Sequence, residues 1–402
     1  MASPPTPGLG TTALIASTAA VATIATLSLL RLALYPRHPN KTLKSPLHTV
    51  IPSLTPAELD ALDYKPDAFP GARDVPTPYG SVRVYEFGDP AGAKVLLLHG
   101  ISTSCQTLTH VANLLAAAGR RVMLFDLFGR GFSDAPADLP HDARLYVAQA
   151  LAALASSPLV GWTGDGARVR VVGYSMGGGI AAHFVAGFPG MVESLVLLAP
   201  AGMIRPERFG RVANAVFRGG WVPERVLAAV TRRRLQRPIA SGVKGGEKEG
   251  KGGQEEEEEE ELLLGRESDG PVGAALAEAA DDNREREPST KLEVSVLRYV
   301  QWMVKHHEGF IPSFMASLRD APLMGQHEAY RRLTRETNVP VAFLFGRKDT
   351  VVDEKGYRED GLAMMGGEER VTWRVVDGGH DFPMTHAREA VEIIEEFWRD
   401  SC

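Results

Sequence analysis

Short apolar segments alternate with helical stretches along much of the chain. Residues 81–87 alternate polar and apolar positions, as a strand with one exposed face does. Segments rich in leucine or β-branched residues, which are typical of buried parallel strands, occupy 94–98, 121–126, 168–173, 194–198, 339–345 and 371–376. Helical patterns occupy 105–118, 141–156, 176–188 and 386–399. The alternation predicts an α/β fold with a mostly parallel sheet and helices on both faces.

The strand–helix rhythm is interrupted between the apolar segments 194–198 and 339–345. Residues 203–238 have a basic helical pattern, and residues 291–336 return to helical patterning. Between them, residues 241–290 hold too few apolar side chains to offset the entropy of ordering, which predicts a disordered acidic loop. The pattern therefore predicts an α/β core in two parts, 46–202 and 337–402, with a helical insertion at 203–336 that would form a lid over it.

The N-terminal region is apolar and uncharged. The first thirty residues carry no charged side chain, and Arg31 and Arg37 follow residues 9–30. About twenty helical residues span a hydrocarbon core, so residues 1–45 are predicted to be a single-pass membrane anchor and linker. The basic flank would keep the rest of the chain on the cytoplasmic side. A cleaved targeting segment or a disordered tail is the alternative, and it would leave a soluble cytoplasmic or organellar protein.

Charge and cysteine content exclude several classes of function. The formal net charge is −6, and the run Glu255–Glu261 alone contributes seven negative charges, so the rest of the chain is close to neutral. This balance argues against a nucleic-acid partner. The two cysteines, Cys105 and Cys402, cannot form a disulfide framework, and no Cys/His cluster has the spacing of zinc ligands. We therefore expect free thiols and no metal site.

One glycine-rich turn carries a candidate nucleophile. The segment Gly173-Tyr174-Ser175-Met176-Gly177 has the G-x-S-x-G pattern, directly after a predicted strand and before a predicted helix. A serine on such a sharp turn is strained, and glycine on both sides relieves crowding. The start of the helix also brings backbone N–H groups and the positive end of its dipole close to the serine. The pattern predicts that Ser175 is a nucleophile.

A serine nucleophile needs a base and an acid that orients the base. His380 follows the last predicted strand in a glycine turn, where the carboxyl edge of the sheet would present its ring. Asp349 lies just past the preceding strand, and Asp353 is the alternative acid. The chain order serine, aspartate, histidine is that of α/β-hydrolases. Two N–H donors must also stabilise the oxyanion. One is expected from Met176, and the other from the loop His99–Ser102.

Five motifs in this order resemble the α/β-hydrolase superfamily. They are His99-Gly100, the segment 126–133 (DLFGRGFS), the serine turn, and the turns that hold Asp349 and His380. The resemblance covers roughly residues 80–200 and 338–400. It implies the α/β-hydrolase fold with a lid inserted after the sixth strand. It also implies that the N–H of Ile101 is the second oxyanion donor and that His99 is structural.

These residues predict a serine hydrolase that cleaves a carboxylic ester through an acyl-enzyme and needs no cofactor or metal. A lipid or monoacylglycerol-like ester is the sharper hypothesis. It rests on the predicted anchor and on basic residues of the lid, including Arg211, Arg218 and Arg225. Hydrolysis of a C–C, amide or peptide bond, or cofactor-free haloperoxidation, would use the same residues. A non-catalytic binding protein with this fold is the alternative from another class.

Overall fold

The computed structural model describes residues 9–34, 42–205, 224–236 and 290–401. Three sequence predictions therefore lie wholly or almost wholly outside the described residues: the acidic loop 241–290, the basic residues Arg211 and Arg218, and the thiol of Cys402.

The described strands are β1 Thr42–Leu43, β2 Arg73–Thr77, β3 Gly80–Gly88, β4 Lys94–Leu98, β5 Arg121–Phe125, β6 Ala135–Pro136, β7 Val169–Tyr174, β8 Val192–Leu198, β9 Val341–Gly346 and β10 Val371–Val376. The described α-helices are α1 Leu9–Leu34, α2 Pro46–Thr49, α3 Pro56–Asp60, α4 Thr109–Ala117, α5 Ala143–Ala155, α6 Met176–Gly187, α7 Glu224–Gln236, α8 Lys291–His306, α9 Phe310–Asp320, α10 His327–Arg335, α11 Glu354–Tyr357, α12 Phe382–Thr385 and α13 Ala387–Ser401. Short 3₁₀ helices occupy Ile51–Ser53, Cys105–Leu108 and Pro189–Met191.

Eight strands form one mostly parallel sheet in the order β10-β9-β8-β7-β4-β5-β3-β2. The strands from β10 to β5 pair in parallel, and β3 pairs antiparallel with both β5 and β2. The prediction of an α/β-hydrolase fold is confirmed. The chain passes from β4 outward to β5 and later returns to add β7 on the other side of β4. Open α/β sheets bind ligands beyond the carboxyl ends of the strands at such a reversal.

The central strands are buried on both faces, which explains their unbroken apolar sequences. Every residue of β7 and β9 is buried, as are the last four residues of β4 and of β5. By contrast, the sequence pattern missed β2. This strand lies at the edge of the sheet, alternates intermediate and exposed positions, and contains Pro76. Proline is tolerated there because an edge strand has a side with no hydrogen-bonding neighbour.

Four helices of the described residues lie between β8 and β9, the sixth and seventh strands of the large sheet in chain order. The predicted helical stretch 291–336 is divided into α8, α9 and α10 by breaks near Gly309 and Pro322. Helix α8 begins with a capping box, in which Thr290 accepts a hydrogen bond from the N–H of Glu293 and the Glu293 side chain bonds back to Thr290. Tyr299 and Met303 lie on its buried face.

The N-terminal apolar segment forms helix α1, whose described side chains, residues 17–31, are all exposed. Within the part of the chain that the structure describes, no helix combines the length and apolarity needed to cross a bilayer. The predicted membrane anchor over residues 9–30 is therefore not supported. Alanine, serine and threonine occupy much of α1, and they partition into hydrocarbon less readily than leucine or isoleucine.

Candidate active site

Ser175 sits between the end of β7 and the first residue of α6. Its backbone has φ 52° and ψ −120°, a conformation that side-chain-bearing residues rarely adopt. A Cβ atom on Gly173 would lie 2.4 Å from the carbonyl oxygen of Gly177, and one on Gly177 would lie 2.3 Å from that of Leu98. The turn is therefore strained at the serine, and both flanking glycines are required by close backbone contacts.

His380 lies in the loop after β10, which is the outermost strand on one side of the sheet, and its ring contacts Ser175. Its Nε2 is 3.1 Å from the Ser175 Oγ. The His380 side chain is fully buried, and Ser175 is only 5% exposed. The Tyr174 hydroxyl donates a hydrogen bond to the His380 carbonyl oxygen at 3.1 Å. The residue before the serine thus fixes the backbone of the histidine.

Asp349 completes the line of hydrogen bonds. Its Oδ2 is 2.7 Å from the His380 Nδ1, and its Oδ1 accepts hydrogen bonds from the N–H groups of Val351 and Val352, each at 2.8 Å. A carboxylate only accepts, so the imidazole proton lies on Nδ1 and the Nε2 lone pair faces the serine. The structure thus brings Ser175, His380 and Asp349 together. The alternative acid, Asp353, lies at the start of α11.

The two expected oxyanion donors lie on segments that are in contact. Gly177, in the first turn of α6, packs against the carbonyl groups of Leu98 and His99 at the end of β4. Met176 is the first residue of α6, and its N–H has no partner four residues earlier in the helix. Among the described residues, neither this N–H nor that of Ile101 is used in a hydrogen bond of the protein.

His99 orients the peptide that carries the Ile101 N–H. Its Nδ1 is 2.9 Å from the Gly100 carbonyl oxygen, and its Nε2 accepts a hydrogen bond from the Leu127 N–H at 2.9 Å. Burial, assisted by the positive charge of Arg130, lowers the pKa of His99 to about 3, so the ring is neutral and its proton lies on Nδ1. Because the Gly100 carbonyl and the Ile101 N–H share one peptide plane, this bond sets the direction of the N–H.

A buried cluster of His99, Cys105 and Asp126 has its potential ligand atoms within 4.8 Å of one another, close enough for a metal ion. These groups are already engaged by the protein. Asp126 accepts hydrogen bonds from the N–H groups of Cys105 and Phe132 and from the Tyr64 hydroxyl, and both ring nitrogens of His99 are bonded. Burial raises the pKa of Asp126 to about 6. The cluster therefore fits a structural role in holding the loops beside the serine.

Three other histidines of the chain contact residues outside this line of hydrogen bonds. His183 bonds to Gln326, the ring of His306 lies against that of Trp302, and His386 bonds to the Thr385 hydroxyl.

A hydrogen-bonded serine, histidine and aspartate at the carboxyl edge of this sheet define the α/β-hydrolase class of serine hydrolases. The profile of the family described as serine aminopeptidase, S33, matches residues 89–380, and the chain belongs to this family.

Curated relatives are similar to parts of the chain. Lipase LipV of Mycobacterium tuberculosis is 34% identical over 135 residues, which cover 34% of this chain and 48% of the relative. A serine hydrolase-like protein of Danio rerio is 33% identical over 134 residues, 33% of this chain and 39% of the relative. The 2-hydroxymuconate semialdehyde hydrolase of a Pseudomonas species is 29% identical over 118 residues, 29% and 39% of the two chains. The alignments thus span less than half of each relative.

Solved structures share the fold at low sequence identity. A membrane phospholipase A, described as a bacterial virulence factor, has a TM-score of 0.54 and 18% identity, covering 98% of this chain and 97% of its own. The esterase RhEst1 from a Rhodococcus species has a TM-score of 0.52 and 20% identity, covering 83% and 100%. Similarity at this level supports the fold alone.

Proposed function

We propose that this serine hydrolase cleaves carboxylic esters through a covalent acyl-enzyme, with Ser175 as nucleophile. The observation that carries the proposal is the continuous line of hydrogen bonds from the Ser175 Oγ through both nitrogens of His380 to Asp349. A hydroxyl is a weak nucleophile at neutral pH, and a neutral imidazole held at 3.1 Å is positioned to take its proton.

In the proposed mechanism the Ser175 Oγ attacks the ester carbonyl while its proton passes to the Nε2 of His380. Asp349 stabilises the imidazolium through Nδ1, and its own position is held by the N–H groups of Val351 and Val352. The imidazolium then protonates the leaving alcohol, which leaves the acyl group on Ser175. Water, deprotonated by His380, attacks this acyl-enzyme and releases the carboxylic acid.

The negative charge of each tetrahedral intermediate is assigned to the N–H groups of Ile101 and Met176. Both lack a partner in the described protein, and Met176 lies at the positive end of α6. Donors fixed in advance are effective because little reorganisation is needed when charge develops. Removal of one such donor typically costs about 10²–10³ in kcat.

A lipid or monoacylglycerol-like ester is the finer proposal. The name of the mycobacterial relative, Lipase LipV, supports this substrate class. The structure gives no support to the predicted membrane association over residues 9–30, so the lipid proposal does not depend on it. Peptide-bond cleavage is the second candidate, and the description of the family as serine aminopeptidases favours it.

The test compares p-nitrophenyl esters of graded acyl length with aminoacyl p-nitroanilides, using the wild-type chain and Ser175→Ala. We expect ester hydrolysis that increases from acetate to medium or long chains and is lost in the variant. Preference for acetate would overturn the lipid proposal, and faster anilide cleavage would favour the peptidase. An active-site fluorophosphonate separates both from a non-catalytic binding protein. If wild-type chain and Ser175→Ala are equally unlabelled, the enzymatic proposal fails.

A further inference from the structure

Arg130 is a fully buried arginine beside the loop that carries the Ile101 N–H. Its Nε donates a hydrogen bond to the Ile101 carbonyl oxygen at 2.8 Å, and its Nη1 donates to the Phe128 carbonyl at 2.9 Å. The Nη2 reaches the Ser317 Oγ on helix α9 at 2.9 Å. One guanidinium therefore joins the loop after β4 to a helix of the insertion between β8 and β9.

The backbone on both sides of Arg130 is tightly held. Gly129 and Gly131 have φ of 76° and 53°, and a Cβ on either would lie 2.1 Å from another residue. That residue is Ser313 of α9 for Gly129, and Asp126 for Gly131. The turn thus fits between the insertion and the core without room to shift, which fixes the origin of the arginine side chain.

The Tyr146 hydroxyl adds a second connection between Arg130 and helix α9. The Arg130 Nη1 donates to the Tyr146 hydroxyl of α5 at 3.1 Å, and this hydroxyl is 2.8 Å from the Ser317 Oγ. Ser317 in turn donates to the carbonyl oxygen of Ser313 at 2.8 Å. Displacement of α9 would therefore pull on the guanidinium, and the guanidinium would pull on Ile101.

Within the described part of the chain, Arg130 donates hydrogen bonds to two carbonyl groups and two hydroxyl groups, and to no carboxylate. Three buried histidines lie near Arg130: His99, His141 and His307. Burial lowers the pKa of each, and the positive charge of Arg130 contributes to each shift, so the rings are neutral. Burying a charge costs several kcal/mol, which these neutral carbonyl and hydroxyl acceptors offset only in part. An apolar side chain of similar volume would fill the same space, so packing alone does not explain an arginine at position 130.

We propose that Arg130 is a positioning residue that holds Ile101 in place as an oxyanion donor and couples this loop to helix α9. The inference rests on the oxyanion role assigned to Ile101 above. His99 fixes the peptide before Ile101 through the Gly100 carbonyl, and Arg130 fixes the peptide after it through the Ile101 carbonyl. With both neighbouring peptide planes held, the N–H of Ile101 cannot rotate away from the serine.

The test compares wild-type chain, Arg130→Met, Arg130→Lys and Ser317→Ala, with Arg170→Met as the matched control. Arg170 is also largely buried, but it lies near the start of β7, away from the serine, and bonds to Glu193. Amide hydrogen exchange of segments 99–108 and 310–320 is measured together with kcat and KM on a p-nitrophenyl ester.

We expect Arg130→Met to raise exchange in both segments by roughly tenfold. We also expect it to lower kcat by about 10–100-fold, with KM within about threefold of wild type. Arg130→Lys should recover only part of kcat, because one ammonium cannot bond Ile101 and Ser317 at once. Ser317→Ala should raise exchange in both segments. The control should change thermal stability alone.

Unchanged exchange in segment 99–108 of Arg130→Met would overturn the proposal, as would full recovery of kcat in Arg130→Lys, which would show that the charge alone suffices. If Arg130→Met does not fold, exchange in Arg130→Lys and Ser317→Ala decides the same question. A wild-type chain that neither hydrolyses esters nor reacts with a fluorophosphonate would refute the proposed function, and the exchange comparison would still decide whether Arg130 couples the two segments.

Discussion

Replacing Gly177 by alanine tests the contact that places the proposed oxyanion donors side by side. The new Cβ would lie 2.3 Å from the Leu98 carbonyl oxygen and 2.6 Å from that of His99. Both are backbone atoms that no side-chain rotation can move. A Cβ contact essentially never falls below 3.0 Å, so α6 and the end of β4 would have to separate by at least 0.7 Å.

This separation moves the Met176 N–H away from the Ile101 N–H. A displacement of about 1 Å in a catalytic arrangement can cost about 10²-fold in rate, and loss of one oxyanion donor costs a similar factor. We therefore expect Gly177→Ala to lower kcat for a p-nitrophenyl ester by about 10²-fold with little change in KM. Crowding of the core should also lower the free energy of unfolding by about 1–3 kcal/mol.

Gly187→Ala provides the matched control, because Gly187 ends the same helix and a Cβ there would meet nothing within 4 Å. We expect it to keep wild-type kcat and to gain about 0.5–1 kcal/mol of stability. Steady-state kinetics and urea unfolding of both variants provide the measurement. Wild-type activity in Gly177→Ala, or an effect on KM alone, would refute the proposed link between this contact and the oxyanion site.

Three further outcomes are expected. Asp349→Asn should lower kcat by about 10⁴-fold in steady-state assays, because the amide cannot hold the imidazole in the required tautomer, whereas Asp353→Asn should stay within about twofold; equal losses would show that the acid is misassigned. Ser175→Ala should lose fluorophosphonate labelling while keeping its thermal unfolding transition, and a labelled variant would point to another nucleophile. His99, His141 and His307 are neutral in the folded protein, and in the unfolded chain they become charged below about pH 6.5. The free energy of unfolding should therefore fall between pH 7 and pH 5, by about 2 kcal/mol for each of the three. The raised pKa of Asp126 acts in the opposite direction and offsets about 1 kcal/mol of this loss. Urea unfolding at pH 7 and pH 5 should therefore show a net loss of about 5 kcal/mol. Equal stability at the two pH values would contradict the assignment of the three histidines as neutral.

The sequence was sufficient to predict the parallel core and the side chains at its edge. Ser175, Asp349 and His380 each follow an apolar segment and stand in or beside a glycine turn, so local patterns were enough to place all three beyond the ends of strands. Parallel strands then bring such residues to one edge of the sheet. The structure brings the three side chains together, and their catalytic roles stay a prediction.

The features that sequence reasoning missed depend on tertiary contacts. Strand β2 has a polar sequence with a proline, and it is a strand because β3 offers it an edge. Arg130 meets Ile101 across a separation of 29 residues and Ser317 across 187 residues, and neither contact has a periodic signal. The glycines on both sides of Arg130 were the available hint, because they mark a turn in close contact with its surroundings.

The positive φ of Ser175 has a thermodynamic consequence for the whole chain. A serine held in this backbone conformation raises the energy of the native state, and glycine would adopt the same conformation with less penalty. A Ser175→Gly chain should therefore resist heat better than the natural one while losing the hydroxyl that the proposed acyl-enzyme requires. At this position selection for reactivity and selection for thermal endurance favour different amino acids.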